Sequence, residues 1–156
     1  MAGYSGTPLP KKLGIREGAR VATLDAPDHL ESILIPWPPG ACIEPLVPNS
    51  APSSEEDRFD VILIFVKDER ALRLGLKAAP EHLRIAGGLW VGWPKMKSPL
   101  FDGVKDSHVR DAGLMTGLVD NKVCAIDEDW SGLRFVFRKE DRRALQIERE
   151  LSEGTQ

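Results

Sequence analysis

Trp93-Pro94-Lys95 is followed closely by Lys97 and Lys105. An indole face beside several ammonium groups could hold an anionic or aromatic ligand. The plainer alternative is that Trp93 is core, Pro94 ends a strand and the lysines keep a loop in water. A second group is Asp127 with Trp130-Ser131-Gly132. Asp, Ser and Gly are natural turn residues. Trp130 is harder to assign to a turn, and it reads as a cap on a sheet end or a wall over a ligand. Ser131 has no adjacent base and lies in no Gly-x-Ser-x-Gly elbow, so it does not read as a nucleophile. A third group is the turn Leu24-Asp25-Ala26-Pro27-Asp28. Anion binding at a strand-to-helix turn wants free amides and glycine. Here Pro27 removes an amide, Asp25 and Asp28 add negative charge, and no Gly-x-Gly is present. Glu44 stands where an acid could take a ribose hydroxyl, but it reads more simply as an exposed strand residue. His29, His82 and His108 fall on separate helical stretches, without the spacing of a zinc site. No metal, no cofactor and no catalytic residue are expected from these patterns.

The elements that carry these groups alternate. Apolar runs and turn residues predict strands over 20–24, 42–47, 61–66, 89–93, 119–126 and 133–138. Residues 61–66 are continuously Val, Ile, Leu and Phe, which suits a central strand of a parallel sheet covered on both faces. Helices are expected over 7–14, 28–34, 69–76, 79–83 and 107–112. Asp28-x-x-Glu31 forms a capping box for the second, and Gly113 ends the last. Gly87-Gly88 reads as a turn into the fourth strand. The last two strands are joined so closely that they must be antiparallel. Strands alternating with helices argue for an α/β sheet.

The chain has 156 residues, 42% hydrophobic and 29% charged, with a net charge of −3. That suits one domain with its own core. We read 1–138 as the domain and 139–156 as a charged helical tail. Residues 48–57 are rich in Pro, Ser and acids with almost nothing to bury, so a mobile surface loop is expected. The net charge gives no reason to expect nucleic acid. No apolar run approaches the ~18 residues a membrane helix needs. The opening Met1-Ala2-Gly3-Tyr4-Ser5-Gly6 lacks the layout of a signal peptide. A cytoplasmic location is the expectation. Cys42 and Cys124 fall in different strands and read as small buried residues without a disulfide.

Strand, helix, then Ala86-Gly87-Gly88-Leu89-Trp90-Val91-Gly92-Trp93-Pro94-Lys95 resembles the second half of a Rossmann-like sheet of the class I S-adenosylmethionine-dependent methyltransferase type. That resemblance implies a mostly parallel sheet of about six strands, ordered 2-1-3-4-6-5 with the sixth antiparallel. It also implies that residues 48–57 stand where a full sheet of this type carries another strand and helix. Tyr4-Ser5-Gly6-Thr7-Pro8-Leu9-x-Lys11-Lys12-Leu13-Gly14-Ile15, Trp93-Pro94-Lys95 and Trp130-Ser131-Gly132-Leu133-Arg134-Phe135-Val136 are similar to a family of uncharacterised bacterial proteins. That family brings no activity with it.

The methyltransferase order would bring the carboxyl ends of the first, fourth and fifth strands to one edge. Asp25, Trp93, Lys95, Asp127 and Trp130 are therefore expected to line a shallow ligand pocket there, with Lys95 meeting an anion. The degenerate first turn favours a non-catalytic or degenerate methyltransferase-fold protein that binds a small ligand or a protein partner. The alternative is a divergent small-molecule methyltransferase or other transferase.

Overall fold

The computed structural model describes residues 6–154, so the first five residues of the chain, which begin the opening motif, lie outside it. Six strands, β1 (Arg20–Leu24), β2 (Cys42–Pro45), β3 (Phe59–Phe65), β4 (Leu83–Pro94), β5 (Leu118–Ala125) and β6 (Trp130–Phe137), form one sheet in the order β2-β1-β3-β4-β6-β5. The first four are parallel, and β6 runs antiparallel to both β4 and β5. This is the order and polarity that the methyltransferase resemblance implies.

Side-chain alternation along β3 sorts the core. Val61, Leu63 and Phe65 face one side, with Leu13, Leu30, Trp90 and Trp130. Ile62 and Ile64 face the other, with Leu72, Leu76, Val109 and Phe135. The first side is covered by two short helices, α1 (Leu9–Lys12) and α2 (Leu30–Ile33). The second is covered by α3 (Glu69–Ala78), α4 (Asp106–Met115) and the tail helix α5 (Lys139–Glu153), whose Leu145 packs on it. Each fully buried aliphatic side chain in β3 contributes roughly 1.5–3 kcal/mol.

Several boundaries differ from the sequence reading. β4 starts at Leu83, and Gly87-Gly88 lie inside it. They mark an interruption of the ladder to β3, where Phe59 pairs with Leu83 but Val61 pairs with Gly88. A glycine pair in a strand can thus signal a bulge as well as a turn. The stretch read as a helix over 79–83 is a single 3-10 turn, Pro80–His82. Gly113 does not end α4, which runs through it to Met115. A Cβ at Gly113 would fall 2.0 Å from the Phe135 ring, so glycine is there to let the helix approach the sheet. The Asp28-x-x-Glu31 capping box does not form. His29 occupies the N-cap position of α2 and makes no side-chain cap bond. Cys42 is exposed, because β2 is an edge strand, while Cys124 is half-buried on the opposite edge strand. Both are free thiols.

Residues 48–57 are anchored at their second half. Glu55 accepts from Arg58, from Arg149 and from the amide of Ile85. Arg58 and Arg149 are buried, and Arg58 also donates to Glu153 at 2.6 Å, which ties α5 to the loop and to β4. No helix among the described residues is long and apolar enough to cross a membrane.

Candidate functional site at the carboxyl edge

In an open α/β sheet, ligands sit beyond the carboxyl ends of the strands. Here that edge has two parts, one on each side of the sheet.

On the α2 side, the link from β5 to β6 is a turn built on one carboxylate. Asp127 Oδ1 accepts the amides of Asp129 and Trp130, each at 2.8 Å, and Oδ2 accepts from His29 Nε2 at 2.6 Å. The Lys95 ammonium donates to the Asp127 carbonyl at 2.7 Å, and the Lys95 amide donates to the Asp129 carbonyl at 2.8 Å. Burial pushes the Asp127 carboxyl up, but the bonds from His29, Asp129 and Trp130 outweigh it and hold it below the ordinary Asp value. The turn closes early enough that Trp130 is the first residue of β6, paired with Pro94, rather than a turn tip.

The five residues expected at one pocket are therefore only partly gathered. Lys95, Asp127 and Trp130 meet at this edge. Trp93 pairs with Ser131, next to the Pro94–Trp130 pair, so the two indoles point to opposite faces of the sheet. Both are buried core residues, 6% and 3% exposed. Trp130 packs edge-to-face on Phe65 at 5.2 Å, and its indole N–H finds no acceptor among the described residues. Two indoles on opposite faces cannot wall one pocket. In the sequence His29 stands alone, with no neighbour at ligand spacing. Only the fold brings it to Asp127, 98 positions away. Glu44 is occupied by Arg20 at 2.8 Å, as an ordinary exposed strand residue.

On the other side of the sheet a cavity of about 660 Å³ opens at the end of β1, against α3. Leu24, Asp25, Pro48, Ala71, Leu74 and Gly75 are among the residues that line it. Asp25 holds a left-handed backbone, φ 56°, which Asp tolerates better than most residues. Its carboxylate is exposed at the cavity. None of Trp93, Lys95, Asp127 or Trp130 lines it. The residues after β2 carry no further strand or helix before the 3-10 turn at Glu55–Asp57, so this flank of α3 is open, with Leu74 56% exposed.

A cofactor carboxylate or phosphate at the turn after β1 would need free backbone amides there. Asp25 takes the backbone position that glycine would otherwise fill, and it adds an anion there. Pro27 contributes no N–H, and α2 has only four residues to orient its amides. These residues do not fit S-adenosylmethionine in the manner of a glycine-rich turn. Among the described residues no three His, Cys, Asp or Glu side chains are grouped as metal ligands.

No protein-family model matches the chain and no curated protein matches it in sequence, so the likeness to an uncharacterised bacterial family rests on its motifs alone. Solved structures do match. A SAM-dependent methyltransferase from Aquifex aeolicus superposes with a TM-score of 0.56 at 10% identity, over 85% of this chain and 89% of that one. Aeropyrum pernix fibrillarin, solved with natively bound S-adenosyl-L-methionine, gives 0.53 at 16% identity, over 86% and 70%. The pyocyanin biosynthetic protein PhzM gives 0.61 at 10% identity, over 83% of this chain and 53% of that one. At such identities the likeness speaks to the fold alone: a Rossmann-like sheet of the methyltransferase type.

Proposed function

We infer that this protein uses the methyltransferase fold as a binding scaffold and does not transfer methyl groups. It takes a small organic molecule at the carboxyl edge, in the cavity between the β1 turn and α3. The carrying observation is Asp25, which puts a carboxylate and a left-handed backbone at the apex of that turn. The lining supports a ligand with an apolar body against Leu24, Ala71 and Leu74 and a cationic or hydrogen-bond-donating group for Asp25. In this reading Lys95, Asp127, Trp130 and Trp93 rigidify the same edge, and contact with ligand falls to Asp25.

The experiment is a thermal-shift screen of small metabolites, repeated on Asp25→Asn. Asparagine tolerates the left-handed backbone and removes the charge. The reading expects hits whose stabilisation shrinks in the variant. A ligand at ~100 times its dissociation constant adds about 2.7 kcal/mol. Hits indifferent to Asp25→Asn would move the site elsewhere. The second reading is a divergent small-molecule methyltransferase or other transferase built on the same fold. Stabilisation by S-adenosylmethionine would select it.

A further inference from the structure

The opposite edge of the sheet is formed by the amino ends of its parallel strands. A cavity of about 540 Å³ opens there on the α1 side, and Arg16, Gly18, Asp60, Ala86 and Arg134 are among its lining residues. Arg134 projects from β6 across β4. The fold makes room for it with a glycine in a central strand, where glycine is otherwise a cost. A Cβ at Gly88 would stand 2.3 Å from Arg134 Nε and 2.6 Å from Nη2. The guanidinium so admitted is half-buried and forms no ion pair among the described residues. Its one side-chain hydrogen bond among the described residues is a long one, 3.4 Å, to Asn121, the residue bulged out of β5. Burial pushes the Arg134 pKa down, and Arg142 and Arg16 push it further. Arg16 is exposed at the same cavity, and its guanidinium makes no hydrogen bond or ion pair among the described residues.

The two carboxylates of the lining do not answer this charge equally. Asp60 is already committed, to Arg84 at 3.0 and 3.1 Å and to the Arg20 amide at 2.9 Å. Glu17 is exposed and makes no ion pair among the described residues. Asp60 is engaged elsewhere and Glu17 makes no ion pair with Arg134, so the half-buried guanidinium has no carboxylate partner among the described residues and is missing an anion. The planar guanidinium fork matches phosphate oxygens two at a time, and the cavity is of a size that takes a small ligand. We propose that the amino-edge cavity binds the phosphoryl group of a small phosphorylated molecule between Arg134 and Arg16.

The test is a titration of inorganic pyrophosphate into the full chain at constant ionic strength, followed by amide and arginine Nε–H NMR shifts. Saturable shifts at Arg134 Nε–H, Ala86 and Gly18 are expected. Arg16→Gln should weaken binding about tenfold, which is 1.4 kcal/mol. Glu17→Gln should tighten it by removing a repulsive charge. Both changes are at exposed positions, so folding is kept while the site is altered. Gly88→Ala should abolish binding by displacing the guanidinium. No saturation at millimolar pyrophosphate overturns the proposal. So does binding that neither Arg16→Gln nor Glu17→Gln changes.

Discussion

Replacing Asp127 by Ala removes the two carboxylate oxygens that accept three hydrogen bonds in one turn. The losses are the Asp129 and Trp130 amides, each at 2.8 Å, and His29 at 2.6 Å. Hydrogen bonds to a charged group are worth about 1.5–3 kcal/mol each. The Asp127 side chain is 19% exposed, so water partly replaces it and the two amide bonds together count for roughly 2–3 kcal/mol. His29 is 47% exposed, and an exposed pair adds at most about 1 kcal/mol. The sum is about 3 kcal/mol, a fall of roughly 6–12 °C in Tm for a chain of this size. Asp127→Asn keeps one oxygen for the amides and should lose about 1 kcal/mol. His29→Ala should lose no more than about 1 kcal/mol. Urea titrations of the three variants read these values directly. The reasoning fails if Asp127→Ala melts within a degree or so of the parent, or if His29→Ala costs as much as Asp127→Ala.

Three further outcomes follow from the same contacts. The Asp127 carboxyl lies below its unfolded value of ~3.9, so its contribution is complete above that value and disappears as pH falls through the lower, folded one; the acid limb of the stability curve should flatten in Asp127→Asn. Gly113→Ala would ordinarily favour a helix by up to ~1 kcal/mol, but the new methyl meets the buried Phe135 ring, so thermal melts should show a loss of about 3 kcal/mol or more, and a gain would refute the packing. Glu55→Ala should cost roughly 1–2 kcal/mol in a denaturant titration through the buried Arg58 and Arg149 and the Ile85 amide, a sum discounted because the Glu55 side chain is itself 45% exposed; an unchanged midpoint would return residues 48–57 to the status of a free loop.

The sheet was legible because its signals are local and strong. The apolar run 61–66 could only be a central strand, and the short link between the last two strands fixed their antiparallel pairing. The carboxyl edge was legible in part. Strand polarity brought Lys95 to Asp127, as expected from the order alone. What the order could not supply was register. A shift of one residue decides which face an indole takes, and Trp93 and Trp130 fall on opposite sides for that reason. Contacts between distant, weakly patterned residues were invisible too. His29 meets Asp127 only through the fold, and Glu55 looked like one more acid in a polar stretch until Arg58 and Arg149 closed on it. Gly88 and Gly113 are set by packing rather than by a turn or a helix end. Each makes room for a neighbour, Arg134 or Phe135, that no local pattern announces.

The central claim is that a methyltransferase-type sheet here carries a first turn closed to the cofactor of that fold. Isothermal titration of S-adenosylmethionine into the full chain tests it most directly. The Asp25 carboxylate and Pro27 predict no binding heat up to millimolar cofactor. A saturating isotherm with micromolar affinity would contradict the account and restore the protein to the enzymes whose fold it shares.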